Sequence, residues 1–461
     1  MRDCPWQIGL FGTFDVENYG DLLFPLIAEA ELTRRLGPVN LHRFSYRAKT
    51  PPDWPYTVTS LSELPERIGR LDAVLIGGGF LIRFDKDVAP DYYPPTDTIH
   101  HPTGYWLTPA LIALQYGVPL IWNAPGMHCN DIPEWAHPLV ELALTLSPYI
   151  AVRDEPSRAA LSRFVENDEI AVVPDTAFGV GRFFNGEPSD QLKGLREECG
   201  LTGPYIIVQP CSKVDAFSEF VREHWRHFEG FQFLVLPIGP VLGDDASAIR
   251  TKLAEAVCLP AWPQPLLLAE LISQAAAVVG YSYHLAITAL TFGVPVFTPA
   301  DLAVGKYSAL SAFDGVYALP TECETEPEQF IALARKTAPC AAVGVALDKL
   351  AAHWDRVAAR ISAGRTAAPP AIGRFWQTLP GMLEAGERRL DAVVRESQAE
   401  AAEKQRRIDE LSRLLELSRV EITARDDRAI ALLNSPSWRI TAPLRSVMRY
   451  LKRLSRNGRN E

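Results

Sequence analysis

The chain has 461 residues, of which 47% are hydrophobic and 22% are charged, and its formal net charge is −10. This length exceeds that of one ordinary domain, so we expect two or three domains with large apolar cores. The acidic balance argues against a general nucleic-acid-binding protein. No stretch approaches the roughly 20 apolar residues of a membrane-spanning helix. The first residues also lack the apolar run of a signal peptide, so we expect a cytoplasmic protein.

Cysteine and histidine spacing gives no sign of a metal centre. The seven cysteines form no CxxC pair, and the nine histidines show no ligand spacing. We therefore predict no metal site and no resident cofactor. The scattered cysteines are typical of buried small residues in a reducing compartment.

Buried strands and amphipathic helices alternate from the start of the chain. Residues Ile8–Gly12 predict the first strand, and the helix predicted at Leu22–Leu36 takes Asp21 as its N-cap. The apolar run Asp72–Gly79 predicts a strand buried on both faces. Its three terminal glycines would let a ligand approach the backbone, but they would equally suit a tight turn without any ligand. The segment between Phe84 and Pro102 is long, and we interpret it as a lid or an acceptor-binding loop.

A strand, a polar turn and a helix near residue 280 form the most informative part of the second half. The strand is predicted at Ala277–Val279, and His284 falls in the first turn of the helix that follows. Ligands of open α/β sheets bind at the carboxyl ends of strands, and a helix start favours anions. A histidine at this place suits acid–base chemistry on an anionic substrate.

The chain after Thr325 is predominantly helical. Charged residues with spaced apolar residues between Met382 and Ile430 predict a long helix. Both a coiled coil that would form a homodimer and a solvated single helix fit this pattern. The strongly basic end combines arginines with apolar residues, which favours an amphipathic helix on an anionic membrane surface. A solvated tail explains it as well.

Together these patterns predict an α/β fold with two Rossmann-like domains facing a cleft, followed by a helical C-terminal extension. The predicted domains are an N-terminal Rossmann-like domain at 1–185, a C-terminal Rossmann-like domain with closing helices at 200–365, a long helix at 375–434 and a basic tail at 435–461.

Five segments resemble the polysaccharide pyruvyl transferase family in both content and order. They are Asn18–Asp21, Asp72–Gly79, Ala151–Ser157, Pro174–Phe178 and Gly280–His284. The resemblance covers about residues 7–310 and implies a GT-B-like arrangement of two domains. It also implies transfer of pyruvate from phosphoenolpyruvate to sugar hydroxyls, usually as a cyclic ketal. The tail Ser435–Arg445 resembles an ending found on bacterial polysaccharide-assembly enzymes, which suggests a surface polysaccharide or its lipid-linked precursor as the acceptor.

The chemistry of phosphoenolpyruvate suggests roles for individual residues. Its phosphate and carboxylate need cations and N–H donors, and its conversion needs an acid and a base. We predict His284 as a proton donor or stabiliser of the leaving phosphate, and Arg153 as a clamp for an anionic group. The predicted substrate-binding residues are Gly78, Gly79, Asn18, Asp21, Ser282 and Lys306.

Each of these residues also has a purely structural interpretation. His284 and Asp21 can act as helix caps, Arg153 can pair with Asp154 or Glu155, and Lys306 can be a surface lysine. Asp175 fits a cap or a turn.

One position departs from a pattern common in the family. Many members carry an arginine two residues before this histidine, where this chain has Ser282. Another branch has a serine–aromatic–histidine form, which Ser282–His284 matches. The departure leaves one cation of the donor site unassigned.

Two other functions remain open from the sequence. The first is a nucleotide-sugar glycosyltransferase on a GT-B fold, although the absence of glutamate between Gly280 and Asp314 disfavours it. The second is a non-catalytic glycan-binding homologue.

Overall fold

The computed structural model describes residues 4–84, 102–127, 132–246, 253, 255–303, 305–319, 326–336 and 338–457. The predicted lid or acceptor-binding loop lies at 85–101, outside the described residues. Most of a helix that the sequence predicts between Asp244 and Val257 also lies outside them.

Seven parallel strands form the first sheet of the described chain, in the order β3-β2-β1-β4-β5-β6-β7. The order changes direction between β1 and β4, as in dinucleotide-binding folds. Their central residues are apolar and buried on both faces, as expected for a parallel sheet covered by helices. The strands are β1 Trp6–Phe11, β2 Val39–Ser45, β3 Thr59–Ser60, β4 Ala73–Gly77, β5 Leu120–Asn123, β6 Tyr149–Val152 and β7 Ile170–Val172.

Six parallel strands form the second sheet, in the order β10-β9-β8-β11-β12-β13. This order repeats that of the first sheet, with the change of direction between β8 and β11. The strands are β8 Tyr205–Val208, β9 Gln232–Val235, β10 Val257–Cys258, β11 Ala277–Val279, β12 Val296–Thr298 and β13 Val316–Ala318. The expected pair of Rossmann-like α/β units in a GT-B-like arrangement is therefore confirmed, while the predicted domain boundaries stay predictions.

Helices cover both sheets and continue into the C-terminal extension. The described helices are α1 Tyr19–Leu36, α2 Leu64–Arg67, α3 Leu107–Gln115, α4 His137–Thr145, α5 Glu155–Leu161, α6 Asp190–Glu198, α7 Asp215–Glu223, α8 Pro265–Ser273, α9 Tyr283–Thr291, α10 Pro327–Ala334, α11 Ala341–Ser362, α12 Pro370–Asn434, α13 Pro436–Ile440 and α14 Ala442–Asn457.

The first helix begins one turn earlier than predicted, at Tyr19 rather than Leu22. Asn18 occupies the N-cap position without a side-chain cap bond, and Asp21 lies in the first turn, so the prediction of Asp21 as N-cap was wrong. Contacts with the second half explain the earlier start. The Tyr19 N–H donates to the Ile238 carbonyl at 2.9 Å, and the buried Tyr19 hydroxyl lies 2.8 Å from Thr288 Oγ1.

Helix α11 follows the second sheet in sequence but packs against the first. His353 Nε2 lies 2.8 Å from Asn123 Oδ1 at the end of β5, and its Nδ1 lies 3.0 Å from the Tyr149 hydroxyl. Asp355 accepts a hydrogen bond from Arg35 Nε of α1 at 2.7 Å. The polar contacts of His353 and Asp355 therefore fix this helix to the first half of the chain.

The chain divides into two compact units, Met1–Gln377 and Thr378–Glu461. The second unit is helical, and apolar side chains along it such as Leu390, Leu411 and Ile422 are exposed, so the predicted coiled coil stays a prediction. No described helix is long and apolar enough to span a membrane. The expectation of buried cysteines was wrong for most of the described ones: Cys340 is buried, whereas Cys4 is exposed and the rest are half-buried.

Candidate functional site

A cavity of about 780 Å³ lies where the carboxyl ends of the two sheets face each other. This is the usual ligand position of open α/β sheets. Most of the predicted site residues line it, namely Asn18, Asp21, Gly79, Arg153, Ser282, His284 and Lys306. Gly78 is not among the described lining residues. It has a φ of 89°, and a Cβ there would lie 2.4 Å from the Phe24 ring, so close packing against α1 requires glycine at this position.

Asp175 brings the two predicted catalytic residues to one carboxylate oxygen. Arg153 follows β6, Asp175 follows β7, and His284 begins the second half's helix α9. Asp175 Oδ2 lies 3.3 Å from Arg153 Nη1 and 3.7 Å from His284 Nε2. The second distance is too long for a hydrogen bond but allows an ion pair when the imidazole is protonated. Sequence reasoning assigned Asp175 only a structural role, and its cap is real, because its Oδ1 accepts the Ala177 N–H at 2.9 Å.

Asp175 is held as a carboxylate. Burial raises the pKa of this side chain, but His284, Arg153 and the Ala177 N–H favour the ionised form more strongly, so its pKa lies below the usual value. Two buried nitrogens beside it, Arg153 Nη2 and His284 Nε2, have no hydrogen-bond partner in the described part of the chain. Unpaired buried donors are costly, and their position on the cavity wall suits an anionic ligand.

Aromatic rings fix the Arg153 guanidinium in place. Its Cζ lies 3.8 Å from the centroid of the Phe80 ring and 5.4 Å from that of Tyr283, both within the range of cation–π attraction. Its Nε lies 3.4 Å from Asp154 Oδ2, so the predicted structural pairing is present alongside the contact with Asp175. A Cβ at Gly126 would lie 2.4 Å from Nε, which makes glycine necessary there. The guanidinium is thus oriented before any ligand binds.

The imidazole of His284 packs against the first turns of α1. A Cβ at Gly20 would lie 1.9 Å from His284 Nδ1, and the Phe24 ring meets the imidazole edge-on with centroids 5.4 Å apart. Gly20, between Asn18 and Asp21, is therefore required for this close approach of His284. The segment Asn18–Asp21 was recognised in the sequence, but the contact between Gly20 and His284 does not follow from residue spacing.

Ser282 and Gln209 shape the turn before α9. Ser282, rather than His284, caps the helix, because its Oγ accepts the Leu285 N–H at 3.4 Å. Gln209 Oε1 accepts the N–H groups of Tyr281 and Ser282, each at 2.8 Å. Gln209 Nε2 in turn donates to Asp244 at 2.9 and 3.0 Å. The N–H of Ser282 is thus used inside the protein, while its side chain stays on the cavity wall.

Lys306 is half-buried rather than a fully exposed surface residue. Its Nζ lies 5.0 Å from the centroid of the Tyr307 ring and 5.6 Å from that of Phe80. Burial, and then the charge of Arg153, lower the pKa of Lys306 to about 8, against the opposite effects of Asp21 and Asp175.

The cavity is also lined by two cations, Arg83 and Lys213, which were not predicted from the sequence as site residues. Each lies just beyond a strand end, Arg83 after the triple glycine and Lys213 after β8, in segments without a diagnostic pattern. Together with Arg153 and Lys306 they outnumber the carboxylates of Asp21 and Asp244 among the described lining residues. These side chains therefore give the cavity positive charge, although position 282 is a serine instead of an arginine.

The chain is similar to one protein family and to several solved structures. The model of the polysaccharide pyruvyl transferase family matches residues 18–298, whereas no curated protein matches the sequence. Similar solved structures include UDP-GlcNAc 2-epimerase from Methanocaldococcus jannaschii, with 12% identity and a TM-score of 0.47 over 72% of this chain and 92% of that one. Another is UDP-GlcNAc 2-epimerase from Neisseria meningitidis bound to UDP-GlcNAc, with 14% identity and a TM-score of 0.45 over 81% and 99%.

The family match extends from Asn18, at the start of α1, to Thr298, at the end of β12. It includes Arg153, Asp175 and His284, and it spans more than half of the chain. The protein therefore belongs to the polysaccharide pyruvyl transferase family and is a transferase.

Proposed function

We propose that this transferase uses phosphoenolpyruvate as its donor and forms a cyclic pyruvyl ketal on two hydroxyls of a sugar. The acceptor in this proposal is a bacterial surface polysaccharide or its lipid-linked precursor. The observation that supports it best is the cluster of Arg153, Asp175 and His284 on the wall of a cation-rich cavity.

The charge of the cavity suits this donor. Phosphoenolpyruvate carries a phosphate and a carboxylate, and both bind best to charged N–H donors. Arg153 Nη2 is buried and has no hydrogen-bond partner among the described residues, so it can bind one of these groups. Lys306 is cationic below its pKa of about 8 and can bind the other. Arg83 and Lys213 raise the positive potential of the same cavity.

The reaction requires two additions at the central carbon of the donor. A proton adds to the methylene carbon while the oxygen of one sugar hydroxyl bonds to the central carbon and loses its own proton. The bond between the central carbon and the phosphate oxygen then breaks, and a second hydroxyl adds with loss of its proton. The products are the ketal and inorganic phosphate, and no oxidant or reductant is needed.

His284 is the proposed proton donor to the methylene carbon. The Asp175 carboxylate lies 3.7 Å from Nε2, so it stabilises a protonated imidazole and favours a proton on Nε2 in the neutral ring. As phosphate departs, Arg153 stabilises the developing negative charge.

The acceptor is proposed to bind on the side of α1. Asn18 and the buried Asp21 line the cavity there. Asp21 Oδ1 lies close to the Gly79 backbone, since a Cβ added to Gly79 would be 3.1 Å from this oxygen. The Asp21 carboxylate can accept the proton of an attacking hydroxyl, and Ser282 and the glycine backbone provide further polar contacts.

We also propose that the reaction takes place on the cytoplasmic side of the cell membrane. The proposal includes a homodimer formed through α12.

Phosphate release by the purified full chain tests this function. We expect release only when phosphoenolpyruvate and a suitable glycan are both present, with mass spectrometry showing a pyruvylated glycan. His284→Gln should abolish release while leaving donor binding by calorimetry nearly unchanged. Saturable binding of a nucleotide sugar without phosphoenolpyruvate binding would instead support the glycosyltransferase. Binding of glycan alone would support a non-catalytic homologue.

A further inference from the structure

The turn before His284 is held by the side chain of Gln209, which directly follows β8 and is buried. Gln209 Oε1 accepts the backbone N–H groups of Tyr281 and Ser282, each at 2.8 Å. A Cβ at Gly280 would lie 2.8 Å from the same oxygen, so glycine at this position leaves room for the amide. The peptide that leads into α9 therefore depends on which end of the amide Gln209 directs toward it.

Asp244 determines the orientation of the Gln209 amide. Gln209 Nε2 donates to both carboxylate oxygens of Asp244, at 2.9 and 3.0 Å. An ionised carboxylate can only accept hydrogen bonds, whereas a side-chain amide has one accepting and one donating end. The NH2 end must therefore face Asp244, which leaves Oε1 toward the turn. Burial raises the pKa of Asp244, and the N–H groups that donate to it oppose this rise.

Asp244 also holds a loop of the second half that contacts the start of α1. Its Oδ2 accepts the N–H groups of Ile238 and Gly239, at 2.8 and 2.9 Å. The Ile238 carbonyl in turn accepts the N–H of Tyr19, the first residue of α1, at 2.9 Å. Asp244 is therefore linked on one side to the turn before α9 and on the other side to the start of α1.

The two linked elements meet at His284. The imidazole packs against the first turn of α1, where a Cβ at Gly20 would overlap the ring, and its Nε2 lies 3.7 Å from Asp175 Oδ2. Gly20 directly follows Tyr19, whose N–H bonds to the loop held by Asp244. The same hydrogen-bond network thus fixes both the peptide before His284 and the backbone against which its ring lies.

We propose that Gln209 and Asp244 are positioning residues, which keep the imidazole of His284 beside Asp175 by fixing the turn before α9 to the start of α1. Both residues also line the cavity, but their side chains are engaged in the hydrogen bonds given above. This engagement favours a role through His284 over a direct contact with substrate. The effect on catalysis rests on the proposed function, whereas the link between the turn and α1 holds without any substrate.

Exchanging the amide and the carboxylate between the two positions tests this proposal. Gln209→Glu places two carboxylates against each other, and Asp244→Asn places two NH2 groups against each other. In the double variant, the amide at position 244 can donate to the carboxylate at position 209, so the contact is restored. We expect each single variant to lower kcat about 10–100-fold while the KM for phosphoenolpyruvate changes little, since a small misplacement of a reacting group is costly. The double variant should recover most of the lost kcat.

Gln405→Glu is the matched control, because Gln405 Nε2 donates to Asp409 at 2.8 Å on exposed positions of α12. The chemical change is the same, and kcat should stay at the wild-type level. Circular dichroism measures the folded fraction of every variant, and a loss of kcat that only matches the loss of folded protein would overturn the proposal. A double variant no more active than the worse single variant would overturn it too. So would a raised KM for the glycan with normal kcat, because it would assign these side chains a direct contact with the acceptor.

Amide hydrogen exchange of the full chain without substrate tests the link between the two elements separately. In both single variants, exchange in the segments that contain Tyr281, Ser282 and Tyr19 should become roughly tenfold faster, since a hydrogen bond to a charged group contributes about that factor or more. The double variant should restore slow exchange. Unchanged exchange at Tyr19 in the single variants would overturn the link to α1. Restored exchange in a protein that releases no phosphate would support the link and place the failure in the proposed function.

Discussion

Asp175 and His284 face each other across the junction of the two α/β halves, with 3.7 Å between Oδ2 and Nε2. The same oxygen lies 3.3 Å from Arg153 Nη1. A carboxylate between two cationic groups stays ionised and stabilises the protonated imidazole. The proposed acid–base role of His284 therefore depends on a residue supplied by the other half of the molecule.

Asp175→Asn should remove this support with little change of shape. We expect kcat to fall by about 100-fold or more, since general acid catalysis typically contributes at least that factor. Asp154→Asn is the matched control, because Asp154 contacts Arg153 but forms no ion pair with His284 among the described residues. A larger loss of kcat in Asp154→Asn than in Asp175→Asn would contradict this role.

Gly20→Ala should disturb the histidine directly. A Cβ at this position would lie 1.9 Å from His284 Nδ1, so either the imidazole or α1 must shift. We expect loss of most activity and a free energy of unfolding lower by about 1–3 kcal/mol, the usual cost of overpacking. Gly344→Ala is a suitable control, since it also lies within a helix but a Cβ there meets nothing within 4 Å. Full activity in Gly20→Ala would show that the close approach is unimportant.

Lys306 should make donor binding depend on pH. Because burial lowers the pKa of Lys306 to about 8, the side chain is cationic below that pH and neutral above it. The KM for phosphoenolpyruvate should therefore rise as pH increases from about 7 to 9. Lys306→Arg should keep a low KM across this range, since arginine stays charged. Lys306→Met should show a raised KM that no longer changes there, and a pH-dependent KM in that variant would assign the titration to another group.

His353 should make the fold less stable in acid. Burial, and then the charges of Arg35 and Arg356, lower the pKa of His353 to about 3, whereas a histidine in the unfolded chain titrates near 6.5. Between these values only the unfolded chain binds the proton, so the free energy of unfolding decreases as pH falls below about 6.5. The expected loss from pH 7 to pH 5 is about 2 kcal/mol.

Urea unfolding of wild type and His353→Gln at both pH values measures this effect. Glutamine can hydrogen-bond to Asn123 but does not titrate, so this variant should lose about 2 kcal/mol less than wild type over the same range. An equal pH dependence in the two proteins would show that other groups cause the acid instability.

The sequence could predict the alternation of strands and helices because parallel strands buried on both faces are continuous apolar runs, as in Ala73–Gly77. It could also place Arg153 and His284 at strand ends, where they line one cavity. It could not predict contacts between distant residues. The bond between Tyr19 and Thr288 joins positions 269 apart, and it belongs to the packing that starts α1 one turn early. For Asp175 the sequence indicated only a cap or a turn, because its contact with Ala177 is local. Its contacts with Arg153 and His284 join residues that are distant in sequence.

In the proposed mechanism, Arg153 binds the donor and His284 protonates it. Calorimetric binding of phosphoenolpyruvate, measured together with phosphate release for wild type, Arg153→Met and His284→Gln, tests both roles most directly. We expect Arg153→Met to lose donor binding, whereas His284→Gln should bind within a few-fold of wild type and release at least about 100-fold less phosphate. A wild-type protein that neither binds phosphoenolpyruvate nor releases phosphate with any glycan, or a His284→Gln variant with normal turnover, would contradict it.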